Sequence, residues 1–296
     1  MSDTYDHQTR FLLPRAGVRG VCVQLEDTWR DILAHADYPA TALGLLGQAC
    51  AAAALFTGHA KVNGRLSLQL RSRRALRTLF AECTAQGTLR GIAQLEEGQD
   101  APPDLQALGS DALLAITIEN PGLDPSAPQR YQSLVALEAA TLSEAFADYF
   151  RQSEQLPTRL MLAANGDRAA GLMLQKLPGD EGDRDGWNRA GALFDTLGAG
   201  ELLDTPAEDL LYRLFHQEEP SLLARRTLQF ACSCSRERVG SMLHSLGPTE
   251  ARAAVVGERA EVRCEFCGRR YLFSKEEIEE LFALPLVGLV APERLQ

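Results

Sequence analysis

Alternating apolar and polar positions predict a series of β-strands in the first half of the chain. Val18–Leu25 alternates small and apolar residues, and Leu66, Leu68 and Leu70 recur at every second position. A period of two places such side chains on one face of a strand. Further strands are predicted from similar runs at Leu76–Cys83, Gly87–Ala93, Leu114–Ile118 and Tyr131–Leu137.

Helices and a hairpin complete this first part. Thr141 and Glu144 form a capping-box pattern, in which the hydroxyl and the carboxylate each accept a hydrogen bond from a backbone N–H at the start of a helix. Helices are predicted from Thr28 to about His35, from Ala42 to His59 and from Thr141 to about Gln152, and a hairpin pairs Leu160–Ala164 with Ala170–Gln175. Because strands and helices do not alternate strictly, residues 1–179 are predicted to form an α+β domain with a mixed sheet.

The middle of the chain, residues 180–230, is predicted to be a helical linker and is named the acidic segment here. It begins in a polar run, Gly179–Gly186, that has the composition of a linker. One short amphipathic helix is predicted from about Trp187 to Leu197. A second is predicted to start at another capping box, Thr205–Glu208, and to carry the apolar side chains of Leu210, Leu211, Leu214 and Phe215.

Charge is unevenly distributed over these parts. The acidic segment has a net charge of −6, against −3 for residues 1–179 and −1 for residues 231–296. Short isolated helices are marginal in water, and the acid excess is expected to repel itself. We therefore interpret the segment as conditionally folded and held by its neighbours; an ordinary helical subdomain remains the alternative.

The last part, residues 231–296, is predicted to be a small α/β unit. A strand at Thr227–Phe230 leads into it, a helix follows from Ser235 to about Leu246, and a short hairpin leads to Cys264. Ser274 is predicted to cap a final helix that ends before Pro285. With few large apolar side chains, such a unit cannot build much core, which is when a bound metal is most needed.

Composition narrows the class of protein. The chain has 296 residues, of which 45% are hydrophobic and 24% charged, as in ordinary globular proteins. No apolar run reaches the ~18 residues of a membrane span, the longest Ala-rich stretch being Ala49–Phe56, and the polar N-terminus does not resemble a secretory signal. We therefore expect a cytoplasmic protein with reduced thiols. The net charge of −10 argues against non-specific nucleic-acid binding.

Four cysteines carry the most specific chemical signal. Cys232 and Cys234 form one close pair, and Cys264 and Cys267 form another. Four thiolates in two such pairs can wrap one Zn²⁺ in a closed tetrahedral site, and Gly268 supplies the free backbone that such a turn often needs. The same sulfurs could instead form two short-range disulfides. The cluster is thus either a site that only stabilises the structure or a redox switch.

Catalysis is not predicted at this cluster. A catalytic zinc keeps an open position and usually has His or carboxylate ligands, whereas here sulfur fills all four positions. A thioredoxin-like use of Cys264 and Cys267 would need a βαβ context that the pattern lacks. In an extended strand the Cα atoms of Cys232 and Cys234 would lie nearly 7 Å apart, so a disulfide between them would need a bent backbone and would be readily reduced. The other three cysteines, Cys22, Cys50 and Cys83, are predicted to be buried structural thiols.

The cysteine pattern resembles that of the redox-regulated holdase chaperones, the 33 kDa chaperonin family. Four further stretches are similar to family signatures: Gly20–Trp29, Gly87–Ala93, Ser153–Thr158 and Glu208–Glu218. The resemblance covers essentially the whole chain.

The resemblance implies a non-enzymatic, ATP-independent chaperone for oxidative stress. It implies a substrate-binding and dimerising domain at 1–179, a helical linker at 180–230 and a zinc-binding redox-switch domain at 231–296. In the reduced, inactive form one Zn²⁺ would be bound by Cys232, Cys234, Cys264 and Cys267. Oxidants would form the disulfides Cys232–Cys234 and Cys264–Cys267 and release zinc. The linker would then unfold, and a homodimer would bind unfolding client proteins.

Two rival hypotheses come from other classes. A zinc-ribbon module that binds nucleic acid or protein would require a basic face, but residues 231–296 carry a net charge of −1. A thiol–disulfide oxidoreductase would turn over in an insulin-reduction assay and lose that activity on Cys264→Ser.

Overall fold

The computed structural model describes residues 5–122, 127–179, 183 and 185–283. The chain divides into two compact units, a large unit at Met1–Ala231 and a small unit at Cys232–Gln296. Each has its own apolar core. Strands and helices are mixed in both units, which confirms the α+β class predicted from the sequence.

The large unit has eleven strands and six α-helices among its described residues. The strands are β1 (His7–Leu13), β2 (Val18–Leu25), β3 (Arg65–Arg71), β4 (Leu76–Thr84), β5 (Thr88–Leu95), β6 (Leu113–Asn120), β7 (Gln129–Val135), β8 (Thr158–Ala164), β9 (Ala169–Lys176), β10 (Ser221–Thr227) and β11 (Gln229–Phe230). The helices are α1 (Asp27–Leu33), α2 (Ala40–His59), α3 (Leu142–Ser153), α4 (Gly186–Phe194), α5 (Ala199–Asp204) and α6 (Ala207–Phe215).

These strands form two sheets. The first has the order β10-β1-β2-β9-β8 and the second the order β11-β5-β4-β3-β6-β7. Neighbouring strands are antiparallel except for the short β11–β5 pair, which is parallel. The chain leaves the edge of the first sheet at β10 and joins the edge of the second at β11, immediately before the small unit begins.

Helix α2 is apolar around most of its circumference because it packs against strands of both sheets. The expectation that no apolar run is long enough to span a membrane was wrong, because by length and composition this helix could cross one, with a mean hydropathy of 1.5. However, 72% of that window is buried inside the protein. The ring of Phe56 on α2 meets Phe146 and Phe150 of α3 edge-on, with centroids 4.9 Å apart in each pair. This packing accounts for the apolar composition without a membrane.

The opposite face of the first sheet is covered by α4, α5 and α6, named the outer layer here. The buried side chains between them form a second apolar cluster, distinct from the one around α2. The ring of Phe215 on α6 stacks on Phe11 of β1, with centroids 6.4 Å apart. Gly186 lies so close to the backbone of Ala16 that a Cβ there would clash at 2.6 Å, so α4 begins in tight contact with the β1–β2 turn.

The acid excess of the acidic segment is partly offset by arginines. Residues 1–179 supply three of them, in the pairs Arg15–Glu219, Arg159–Asp195 and Arg168–Asp204, and Arg189 within the segment pairs with the buried Glu218. These pairs therefore reduce the self-repulsion expected from the acid excess. Exposed pairs of this kind contribute ~0–1 kcal/mol each, so they remove a repulsion more than they add stability.

The small unit is built on few apolar residues. Its described elements are α7 (Arg236–Leu246), α8 (Pro248–Ala253), β12 (Val255–Val256), β13 (Arg259–Arg263), β14 (Arg270–Ser274) and α9 (Lys275–Ala283), with the sheet order β12-β13-β14. Its buried apolar cluster, within the described residues, consists of Val239, Leu243, Ala251, Ala260, Tyr271, Phe273 and Ile278. Ser274 and Glu277 exchange hydrogen bonds of 2.8 and 3.2 Å, which confirms the predicted cap of α9. Pro285 lies outside the described residues.

Most elements predicted from periodicity are confirmed, including the capping box at Thr141. The second capping box was wrong: α6 starts at Ala207 after Pro206, and no side chain caps it. Five of the described α-helices and strands were not predicted: β1, α5, α8, β10 and β14.

Candidate metal centre

Two segments of the small unit carry the four cysteines. Cys232 and Cys234 lie in an irregular stretch directly before α7, whose N-cap is Ser235, with its hydroxyl accepting a bond from the N–H of Arg238. The guanidinium of Arg238 also donates to the carbonyl of Ser233 at 2.8 Å. These bonds fix the stretch against the helix that follows and place both thiols at its start.

The other two cysteines lie in the turn between β13 and β14. The N–H of Cys264 donates to the carbonyl of Arg269, and the N–H of Gly268 donates to the carbonyl of Cys264, both at 2.8 Å. Gly268 has a φ of 66°, a backbone conformation that residues other than glycine rarely adopt. The role predicted for this glycine, to permit the turn after Cys267, agrees with that geometry.

The fold brings all four sulfurs together. Their Sγ atoms lie within 4.8 Å of one another, and within the described part of the chain no other group of three or more potential metal ligands is as close. Cys232 and Cys264 are 3.6 Å apart, and Cys234 and Cys267 are 3.3 Å apart. Four sulfurs bound tetrahedrally to Zn²⁺ at about 2.3 Å would lie about 3.8 Å from each other. The donors therefore fit Zn²⁺ in number, type and spacing.

The environment distinguishes the thiols from one another. Burial raises the pKa of Cys232 to about 12 and also raises the pKa of Cys267. Burial acts in the same direction on Cys234, but hydrogen bonds from Tyr271 and the neighbouring thiols outweigh it and lower the pKa of Cys234 to about 7. In the metal-free cluster Cys234 is therefore the first of these three to ionise, and a thiolate is the form that reacts with oxidants.

Sequence reasoning missed one residue of this site. The hydroxyl of Tyr271, on β14, donates to Sγ of Cys234 at 3.1 Å while the ring belongs to the small core. A hydrogen bond to a ligand sulfur orients the ligand and tunes its basicity. The sequence gives no signal for this contact, because an aromatic residue in a short strand is normally predicted to be a core residue.

The other three cysteines are buried away from this cluster. Cys22, Cys50 and Cys83 are each 0% exposed. Burial raises the pKa of Cys22 to about 12 and that of Cys83 to about 11, and it also raises the pKa of Cys50. Their burial confirms the prediction from the sequence, and buried thiols with raised pKa values react slowly with oxidants.

Comparison with known proteins gives consistent matches. The family profile described as "Hsp33 protein" matches residues 6–274. The "33 kDa chaperonin" of Ectopseudomonas mendocina is 43% identical over 286 residues, covering 94% of this chain and 95% of that protein. The protein of the same name in Pseudomonas fluorescens is 41% identical over 94% of both chains. The crystal structure of the 33 kDa chaperonin (heat shock protein 33 homolog) of Thermotoga maritima matches with a TM-score of 0.73 and 22% identity, covering 94% of this chain and 98% of that one.

Proposed function

This chain belongs to the Hsp33 protein family, and we propose on that basis that it is a redox-regulated holdase chaperone that acts without ATP. Family membership supports the chaperone activity. The single observation that carries the switch is the closed set of four sulfurs in a unit with only seven buried apolar side chains in its described core.

In the reduced state Cys232, Cys234, Cys264 and Cys267 would be the ligands of one Zn²⁺. When bound, the ion would hold the four thiolates together and stabilise the small unit by ~10–16 kcal/mol, the range of small structural sites. The ligand set leaves no position for a substrate, which agrees with a structural role and with a protein that is not an enzyme.

Oxidation converts these thiols to two disulfides. Each pair of zinc-bound thiolates loses two electrons and forms one S–S bond. Hydrogen peroxide takes up these electrons and two protons from the solvent and becomes two waters, or hypochlorous acid takes up the electrons and one proton and becomes chloride and water. We propose the pairs Cys232–Cys234 and Cys264–Cys267, as the family resemblance implies. Since a disulfide sulfur does not replace a thiolate ligand, oxidation removes the metal stabilisation of the small unit.

The acidic segment would respond next. The chain passes from β11 directly into Cys232, so loss of order in the small unit loosens the C-terminal end of the segment. Release of the outer layer would uncover the apolar cluster beneath it. Its sheet side includes Phe11, Leu172 and Leu174, and its helix side includes Leu210, Leu214 and Phe215. We propose that these surfaces bind unfolding client proteins and that the oxidised form is a homodimer in the cytoplasm.

An aggregation assay tests the switch. Thermally unfolding citrate synthase is mixed either with the reduced, zinc-loaded protein or with the protein after peroxide or hypochlorite treatment. Only the oxidised form is expected to suppress light scattering, and it should sediment as a dimer. Cys50→Ala serves as the matched control, because its thiol lies outside the four-cysteine cluster and on α2, in the apolar cluster that the outer layer does not cover, and the variant should switch normally. Equal protection by the reduced and oxidised forms would refute the switch.

A disulfide map tests the pairing. After oxidation, peptide mass spectrometry should find Cys232 linked to Cys234 and Cys264 linked to Cys267, with one zinc released and four thiols lost. Cys50 and Cys83 should remain free thiols because they are buried in the cluster around α2, which the outer layer does not cover. The map is decisive because Cys232 and Cys264 lie only 3.6 Å apart, so a bridge between them is within reach and would contradict the proposed pairing.

A further inference from the structure

Gln24, on β2, makes a buried contact with the outer layer. Its side chain points from the first sheet toward the junction between α5 and α6 and is 2% exposed. The amide Nε2 donates to the carbonyl of Leu202 at 3.0 Å and to the carbonyl of Thr205 at 2.6 Å. One side chain of the sheet thus binds two backbone carbonyls that lie 178 and 181 residues further along the chain.

Both carbonyls lack a helical partner for a reason visible in the sequence. The carbonyl of Leu202 would normally accept from the N–H four residues later, but residue 206 is proline and has no N–H. The first bond within α6 is from the N–H of Leu210 to the carbonyl of Pro206, so the carbonyl of Thr205 lies outside that helix. Buried carbonyls without partners are costly. Gln24 supplies the donor that this junction cannot supply for itself.

The contact is also incomplete. Oε1 of Gln24 is buried and has no hydrogen-bond partner. An unsatisfied buried acceptor carries a desolvation penalty that offsets part of the gain from the two donated bonds. The contact therefore fixes where the outer layer docks while contributing only modestly to how firmly it stays there, a combination suited to a layer that must detach.

We propose that Gln24 is a positioning residue that docks the outer layer on the first sheet, and that removing its two donated hydrogen bonds makes the layer detach more readily while the small unit keeps its metal. Exposed contacts at the same junction are weaker substitutes: the Tyr5 hydroxyl donates to the carbonyl of Asp204, and Arg168 pairs with the carboxylate of Asp204, both at 3.0 Å. The consequence for chaperone activity rests on the proposed function, but the release itself does not.

Cys22 provides a built-in reporter of this release. It lies two residues before Gln24 on β2, faces the same side of the sheet and belongs to the cluster that the outer layer covers. Cys50 and Cys83 belong to the other cluster, around α2. Detachment of the outer layer should expose Cys22 and leave Cys50 and Cys83 buried, whereas unfolding of the large unit should expose all three.

The experiment measures the labelling rate of each cysteine by N-ethylmaleimide in the full-length, reduced, zinc-loaded protein, with mass spectrometry of the peptides. Gln24→Met removes both donors at nearly constant volume. The matched control is Gln8→Met: Gln8 is also a buried glutamine of the first sheet, 3% exposed, but it donates to the carbonyl of Ala54 in α2. Zinc content and thiol reactivity of the four clustered cysteines are measured on the same samples.

We expect Gln24→Met to label Cys22 about tenfold faster than the unaltered protein, with Cys50 and Cys83 unchanged and one zinc retained. Gln8→Met should show no such selectivity for Cys22. An unchanged Cys22 rate, or an equal rise at all three buried cysteines, would overturn the proposal, the latter because Gln24 would then support the whole large unit.

The same variant separates this inference from the proposed function. If Gln24→Met exposes Cys22 selectively and the reduced, zinc-loaded variant suppresses citrate synthase aggregation, both stand. If Cys22 is selectively exposed and aggregation proceeds unhindered, Gln24 still positions the outer layer, but the uncovered surface is not the client-binding surface.

Discussion

In the large unit, two extensive apolar clusters lie on either side of the first sheet, whereas the described core of the small unit consists of seven apolar side chains and four neighbouring sulfurs. A core of the first kind stabilises its unit through buried area alone. A core of the second kind is too small to do so. The difference means that one chemical event, at four sulfurs, can remove the fold of one unit and spare the other.

The two faces of the first sheet differ in a related way. One face packs on α2, which is enclosed between the sheets, and the other is covered by the outer layer, whose three helices have six to nine residues each. Helices this short do not persist alone. The outer layer therefore depends on its docking contacts, while α2 is held from two sides.

Metal removal should have the largest effect. If the small unit stayed folded without metal, the contrast between the two units would not hold. A chelator added to the reduced, zinc-loaded protein should cost the small unit ~10–16 kcal/mol and unfold it. Hydrogen exchange should show loss of amide protection in β13 and β14, with β2 and β9 still protected. Cys267→Ser should give the same pattern without chelator, and Cys83→Ser should not. Persistent protection of β13 in the metal-free protein would mean that its apolar core suffices.

Truncation of two buried phenylalanines should distinguish the faces of the first sheet. Phe215→Ala removes the ring that stacks on Phe11, and Phe146→Ala removes the ring that meets Phe56. Each should cost about 3–5 kcal/mol. Phe215→Ala is expected to loosen the outer layer locally, with faster labelling of Cys22, and Phe146→Ala to lower the urea midpoint of the whole large unit. Identical unfolding profiles for the two variants would contradict separate stability of the faces.

Much of the fold could be predicted from the sequence because its strands follow a strict period of two. β3 shows this, since its leucines are buried at alternate positions. β1 was not predicted because its first three residues, His7, Gln8 and Thr9, are polar although they are buried. β10 was missed for the opposite reason: Leu222 and Leu223 are 49% and 55% exposed on an edge strand, so no buried face marks it.

The candidate site was predictable to a different degree. Four thiols at short spacings are rare by chance, and their meeting is a local event within one small unit. The contacts of Tyr271 and Gln24 depend on which strands become neighbours, and side-chain type alone does not encode that. The charges of the acidic segment could be counted in the sequence, but their pairing with Arg159 and Arg168 required the fold.

The smallest effect is expected from a single polar contact in the large unit. Nε2 of His59 lies 3.3 Å from Oε2 of Glu154, which also accepts from Gln175 at 2.7 Å. The contact with His59 is the main cause that lowers the pKa of Glu154 below its ordinary value of 4.5. A lowered pKa in the folded state means that the charged carboxylate stabilises the fold above pH 4.5, and that this contribution fades as the pH falls through the folded-state pKa.

Glu154→Gln should therefore cost about 1 kcal/mol or less at pH 7, since the carboxylate is partly solvated, and the difference from the unaltered protein should shrink as the pH falls below 4.5. Urea unfolding of the large unit at pH 7 and at a pH below 4.5 measures this difference in the free energy of unfolding, with Glu97→Gln, at an exposed position, as the control. A loss at pH 7 as large as that from metal removal in the small unit would contradict the comparison, because one polar contact would then matter as much to the large core as four sulfurs do to the small one.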